Sequence, residues 1–190
     1  MGERAACAAC GESVETYDVD LESGTREVRC VQCGMPLAKS AGREGLVRFR
    51  RVLVADDSAF FLKALEETLR SRRLAGEVVA ARDGAEAVEK ATAALCEKRP
   101  VSLAILDLLM PRLNGLHAAV ALRAVERGFG AAPAGVLFLS GRRLDPTLRP
   151  LLDELAPAFY LNKGTDGAAL HRRLEEVLVA ISSSPRVRRV

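Results

Sequence analysis

The sequence predicts an α/β protein: a doubly wound parallel sheet of five β/α repeats, preceded by a small β-hairpin that holds a metal ion. Four of the five cysteines lie within the first 33 residues, in two closely spaced pairs. From Val52 onward, short apolar runs alternate five times with longer segments of helical period. These runs are almost continuously apolar, which is typical of strands buried on both faces of a sheet.

The cysteine pairs are Cys7–Cys10 and Cys30–Cys33, and a glycine follows each pair directly. Two such pairs supply the four thiolates of a tetrahedral zinc site with no open coordination position, so the zinc is expected to be structural. Two disulfides or four separate thiols are the alternatives, and a reducing compartment argues against disulfides. The segment 5–36 resembles a zinc ribbon.

The residues between the cysteine pairs predict the hairpin of this ribbon. Segments 13–20 and 25–30 have strand character, and residues 22–24 form the turn. Residues 1–45 have a net charge of −3, whereas the rest of the chain has +6. Because DNA affinity depends on cationic contacts to phosphates, we expect the ribbon to contact protein rather than nucleic acid.

The five β/α repeats follow one another without interruption. Strands are predicted at 52–55, 77–81, 101–107, 135–140 and 158–162, and helices near 58–73, 84–98, 114–127, 146–156 and 165–182. Asp83 stands three residues before Glu86, which is the spacing of a helix capping box.

Polar residues stand where the predicted strands end. Asp56 and Asp57 follow the first strand, Asp107 ends the third, Ser140 ends the fourth, and Lys163 follows the fifth. In an open parallel sheet, ligands bind outside the carboxyl ends of the strands, so these residues are expected to converge. Three carboxylates together require a cation with a preference for oxygen ligands, such as Mg²⁺.

The motifs VLVADDS, LDLLMPRLNG, FLSG and YLNK, taken in this order, strongly resemble the CheY-like receiver domain of bacterial two-component response regulators. The resemblance covers about residues 50–183 and implies a flavodoxin-like fold. It implies that Asp107 is the phosphoacceptor. It also implies that Asp57, Asp107 and the main-chain carbonyl of Leu109 bind Mg²⁺ directly, with Asp56 binding through water.

The resemblance also assigns a switch. Lys163 is expected to pair with the phosphoryl oxygens, Ser140 to hydrogen-bond the phosphate, and Tyr160 to follow Ser140 inward. The family usually has proline after the lysine, where this chain has Gly164, so the conformation of that peptide bond is open. In the family, the fourth helix, fifth strand and fifth helix form the usual surface for partners.

The expected organisation is a zinc ribbon (1–36), a linker (37–49), a receiver domain (50–183) and a basic tail (184–190). Hydrophobic residues make up 49% of the 190 residues and charged residues 28%, which is typical of a globular protein. No apolar run approaches the roughly 20 residues of a membrane helix, and the N-terminus lacks the apolar core of a secretory signal. We therefore expect a cytoplasmic protein with no membrane partner.

The predicted function is that of a response regulator, phosphorylated on Asp107 by a histidine kinase or phosphotransfer protein in a Mg²⁺-dependent reaction. We expect it to signal through protein contacts of the receiver or the ribbon, and a homodimer is one assembly open to it. It is not expected to be an autonomous enzyme, since such sites act once on their own aspartate. The alternatives are a transcription regulator whose ribbon contacts DNA or RNA polymerase, and a pseudo-receiver scaffold that is never phosphorylated.

Overall fold

The protein contains an antiparallel sheet and a parallel sheet that is covered by helices. The computed structural model describes residues 4–20, 26–37, 49–141, 146–164 and 167–183. The predicted hairpin turn (22–24), most of the linker (38–48) and the basic tail (184–190) lie outside the described residues.

The first sheet is antiparallel and contains three strands in the order β1–β2–β3: β1 (Arg4–Cys7), β2 (Glu12–Asp20) and β3 (Arg26–Cys30). Strands β2 and β3 confirm the predicted hairpin, and Thr16 pairs with Cys30 in their register. Strand β1 is not predicted by the sequence, because its four residues are too few to show a period. This strand brings Cys7 to the same end of the sheet as Cys30.

The second sheet is parallel, and it confirms the predicted flavodoxin-like fold class. Its strands are β4 (Phe49–Ala55), β5 (Ala75–Ala81), β6 (Leu103–Asp107), β7 (Gly135–Ser140) and β8 (Ala158–Asn162). Its helices are α1 (Ala59–Ser71), α2 (Gly84–Cys96), α3 (Gly115–Gly128), α4 (Arg149–Glu154) and α5 (Gly167–Ser183). The strand order is β5–β4–β6–β7–β8, which reverses direction between β4 and β6.

Burial explains the composition of the strands. All residues of β6 and β7 are buried, because helices cover both faces of the sheet and neighbouring strands cover both edges. Asp83 caps α2 as predicted, but Glu86 reaches the N–H of the residue before the cap and not that of Asp83. Asp83 Oδ1 accepts the Glu86 N–H over 2.9 Å, and Glu86 Oε2 accepts the Arg82 N–H over 2.8 Å.

The ribbon and the parallel sheet pack together, a question that the sequence left open. Buried residues of both sheets form one continuous apolar cluster that runs from Cys7 in β1 to Ile181 in α5. Among the described residues, no helix is both long enough and apolar enough to cross a membrane.

Candidate functional site

The reversal of strand order places the carboxyl ends of β4 and β6 side by side. Asp56 follows β4 and Asp107 ends β6, and both side chains are buried, with 1% and 6% of the residue exposed. Local geometry fixes each carboxylate. Asp56 Oδ1 accepts the N–H of Ser58 over 2.9 Å, and Asp107 Oδ2 accepts the N–H of Leu109 over 3.1 Å.

Lys163 joins the two buried carboxylates. Its Nζ lies 2.6 Å from Asp56 Oδ2 and 2.8 Å from Asp107 Oδ1. Its main-chain N–H donates to the carbonyl of Ser140 over 2.7 Å, which ties the loop after β8 to the end of β7. The ammonium also lies 4.5 Å from the centre of the Phe61 ring, a cation–π distance.

These contacts set the charge state of the lysine. Burial works against the charged form of Lys163, but the ion pairs with Asp107 and Asp56 outweigh it and raise the pKa of the ammonium. The site therefore holds a fixed positive charge beside Asp107. Such a charge can stabilise negative oxygens that a ligand brings to this carboxylate.

The structure brings most of the predicted site residues together. Asp56, Asp107 and Lys163 are in direct contact, and Ser140 is buried at the end of the neighbouring strand. Tyr160 is 2% exposed and hydrogen-bonded to Ser140. Asp57 is exposed.

The residues at this edge of the sheet have the right donor atoms for a magnesium ion. Asp56, Asp57, Asp107 and the carbonyl of Leu109 offer oxygen ligands, the class that Mg²⁺ prefers. Within the described residues, however, the only group of three or more ligand side chains that meet within 4.8 Å is the cysteine cluster. Since Lys163 already pairs with two of the carboxylates, the magnesium site stays a prediction.

The cysteine cluster fits zinc. Cys7 Sγ lies 3.6 Å from Cys33 Sγ, and Cys10 Sγ lies 3.8 Å from Cys30 Sγ. A tetrahedron with Zn–S bonds of about 2.3 Å has sulfurs about 3.8 Å apart, so these distances match. The N–H groups of Cys10 and Cys33 also point at the first sulfur of their own pair, over 3.5 and 3.4 Å.

Two contributors to the site were missed by sequence reasoning. Phe61 supplies the ring beneath Lys163, and Gly115 lets the first turn of α3 approach the end of β6. An ideal Cβ on Gly115 would lie 2.1 Å from the carbonyl oxygen of Asp107. The signal for Gly115 was its place directly after Asn114, whose side chain caps α3 by accepting the His117 N–H.

We expect Gly115→Ala to destabilise the protein by roughly 1–3 kcal/mol, the usual range for overpacking, and to displace Asp107. Denaturant unfolding measures the first effect. Gly128→Ala is the matched control, because it lies in the same helix and its Cβ would have nothing within 4 Å. Equal stability of the two variants would contradict the close approach.

Burial raises the pKa of Asp107 above the ordinary aspartate value. The charge of Asp56 adds to this rise, while Lys163 and the N–H of Leu109 oppose it. Ionised Asp107 therefore destabilises the folded protein and lowers its free energy of unfolding at pH values above both its unfolded and its folded pKa. This loss disappears below the unfolded pKa, near 4, where the carboxyl is protonated in both states.

In metal-free buffer, we therefore expect Asp107→Asn to unfold at a higher temperature than the wild type at pH 7. The difference should shrink as the pH falls towards 4. Thermal unfolding followed by circular dichroism across this pH range measures it. A difference that does not change with pH would contradict the raised pKa.

A doubly wound sheet with aspartates, a serine and a lysine at its carboxyl edge defines a signalling domain of the two-component class. The chain belongs to the response regulator receiver domain family, whose sequence model matches residues 52–175. This match begins after the ribbon. It confirms the family that the motifs indicated.

Curated relatives match this chain over part of their own length. A protein-glutamate methylesterase/protein-glutamine glutaminase of Pyrococcus abyssi is 30% identical over 144 residues, which are 73% of this chain and 36% of that protein. The transcriptional regulatory protein PrrA of Mycobacterium tuberculosis is 47% identical over 77 residues, which are 40% of this chain and 30% of that protein. The chain thus spans about a third of the length of these relatives.

Solved structures show the same fold. The response regulator domain of Thermotoga maritima CheB has 28% sequence identity and a TM-score of 0.53, covering 72% of this chain and 98% of that one. The receiver domain of the Arabidopsis thaliana histidine kinase CKI1, complexed with Mg²⁺ and BeF₃⁻, has 22% identity and a TM-score of 0.60. That match covers 71% of this chain and 91% of the other, and it supports the fold alone.

Proposed function

We propose that the chain is a phosphorylated response regulator in which Asp107 accepts a phosphoryl group from a histidine kinase or a phosphotransfer protein. The observation that carries this proposal is the contact of Lys163 with both buried aspartates at the point where the strand order reverses. A fixed cation beside a buried, anchored carboxylate favours attack by that carboxylate on a group bearing negative oxygens.

The transfer uses the residues as follows. A carboxylate oxygen of Asp107 bonds to phosphorus while the bond from phosphorus to the donor's imidazole nitrogen breaks, and the imidazole takes up a proton. Lys163 donates hydrogen bonds to the phosphoryl oxygens, and the Ser140 hydroxyl, one residue beyond the Leu139 that pairs with Asp107, would add another. Mg²⁺ held by Asp56, Asp57, Asp107 and the carbonyl of Leu109 would supply further positive charge to these oxygens.

Signalling through protein contacts completes the proposal. The ribbon is acidic, and four thiolates around Zn²⁺ add a formal charge of −2, which disfavours nucleic acid as its partner. One relative is named as a methylesterase and another as a transcriptional regulator, and we propose neither activity for this chain. A cytoplasmic location belongs to the same proposal, because thiolate ligands need a reducing compartment.

Intact-mass measurement with Mg²⁺ and two small donors, acetyl phosphate and phosphoramidate, tests the proposal. We expect one phosphoryl group on the wild type and none on Asp107→Asn. Asp153→Asn, at an exposed aspartate of α4, is the matched control and should be phosphorylated. A wild type that takes up no phosphoryl group from either donor would favour the scaffold alternative.

A further inference from the structure

The ribbon lies against one face of its own receiver, the face formed by α4, β8 and α5. The main-chain N–H of Asn162, at the end of β8, donates to the carbonyl of Ala9 over 2.9 Å. Ala9 stands between the first two cysteines and has no exposed surface. Since β8 is an edge strand, the ribbon pairs with a main-chain donor that would otherwise be open to another chain.

Two arginines of the receiver contact the two cysteine turns in the same way. Gly11 and Gly34, each directly after a cysteine pair, have positive φ angles of 77° and 71°. An ideal Cβ on Gly11 would lie 2.7 Å from Arg173 Nη1, and one on Gly34 would lie 2.7 Å from Arg149 Nη2. Glycine therefore serves two purposes here, since it allows both the left-handed turn and the close approach of a guanidinium.

Arg149 holds the second cysteine turn without contacting the candidate site. It donates to the carbonyl of Val31 over 3.0 Å and to the hydroxyl of Tyr17, and its guanidinium carbon lies 5.7 Å from the centre of the Tyr17 ring. Both arginines carry positive charge beside a segment that is acidic already. A zinc tetrathiolate adds negative charge next to them, so zinc loading favours the packed arrangement.

Arg173 connects the first cysteine turn to the loop that carries Lys163. Its Nη2 donates to the carbonyls of Asn162 and Lys163 over 2.8 and 3.0 Å, while Nη1 faces Gly11. The backbone held in this way is the one that directs the Lys163 ammonium to Asp56 and Asp107.

We propose that the zinc-loaded ribbon is the built-in partner of the α4–β8–α5 face, and that Arg173 is a positioning residue through which the ribbon fixes Lys163. Zinc binding and the occupancy of the Asp107 site are then coupled in both directions. The reciprocal half of this coupling is the effect of the Asp107 site on the ribbon: a phosphoryl group on Asp107 slows the release of zinc. This half rests on the proposed function. A macromolecule that binds this face has to displace the ribbon.

Amide hydrogen exchange on the full zinc-loaded chain tests the positioning role. Arg173→Gln should speed exchange at Asn162 and Lys163 by about 5- to 150-fold, the usual range of coupling between sites, and should speed zinc release to a chelator. Arg172→Gln, at an exposed neighbour on the same helix, should match the wild type.

Arg149→Gln separates coupling from local damage, because Arg149 is at the other cysteine turn and its hydrogen bonds go to the ribbon. If the ribbon acts as one body, this variant should also speed exchange at Lys163. Unchanged exchange at Lys163 in both arginine variants would overturn the proposal, whatever the outcome at Asp107.

The reciprocal half is measured with Mg²⁺ and beryllofluoride as a phosphoryl mimic, whose binding is followed by ¹⁹F NMR. Bound beryllofluoride should slow zinc release from the wild type and should not change it in Arg173→Gln. Binding with an unchanged or faster release overturns the reciprocal coupling while the proposed function stands. Failure to bind counts against the proposed function, and the exchange data then decide the positioning role alone.

Discussion

Lys163→Met should slow phosphoryl uptake by about 10²- to 10³-fold, the usual cost of removing one donor aimed at developing negative charge. The ammonium contacts both Asp56 and Asp107, and its side chain is only 12% exposed. Methionine keeps the length and the packing on Phe61 but removes the charge. Rates of uptake from acetyl phosphate, followed by intact mass, measure the loss.

The same substitution should also destabilise the fold, because it leaves two buried carboxylates without their cation. Removing one member of a buried pair costs about 3–5 kcal/mol. The double variant Asp56→Asn, Lys163→Met should recover part of the stability without recovering uptake, since it removes one of the two unpaired charges but not the need for a donor. Lys63→Met, at an exposed position of α1, is the matched control. Uptake by Lys163→Met within threefold of the wild type would contradict this role.

The fold could be predicted because each strand carries its own signal. β6 and β7 are buried on every side, so their apolar runs follow directly from their place in the sheet. The strand ends follow from the same pattern, so the sequence predicts that Asp56, Asp107 and Lys163 lie together. Such residues need only the order of the strands, and not side-chain detail, to be recognised.

The contacts between the two sheets had no such signal. Arg149 and Arg173 lie on helices where an arginine is ordinarily a solvent-exposed charge, and nothing near them in sequence indicates a partner more than a hundred residues away. Gly11 and Gly34 directly follow the cysteine pairs, a position that by itself indicates only a turn. That they also admit a guanidinium could be seen only once the two sheets were placed against each other.

Removal of zinc should unfold the ribbon while the parallel sheet stays folded. The ribbon has about 30 residues, too few to bury a sufficient core of its own, and three of its most buried side chains are the ligands Cys7, Cys30 and Cys33. Structural zinc contributes about 10–16 kcal/mol in isolated zinc-finger peptides, more than a segment of this size can replace. Cys30→Ser should therefore lose the metal and the amide protection of residues 4–20 and 26–37.

Elemental analysis measures the zinc content, which should be one ion per wild-type chain. Hydrogen exchange measures the amide protection of the ribbon. Cys96→Ser is the matched control, because Cys96 is exposed, lies outside the cluster and should leave zinc content unchanged. The four sulfurs lie within 4.8 Å of one another, so a chain that keeps its ribbon protected after chelation must hold it by another bond. A mass loss of four hydrogens would identify that bond as two disulfides and would contradict the zinc assignment.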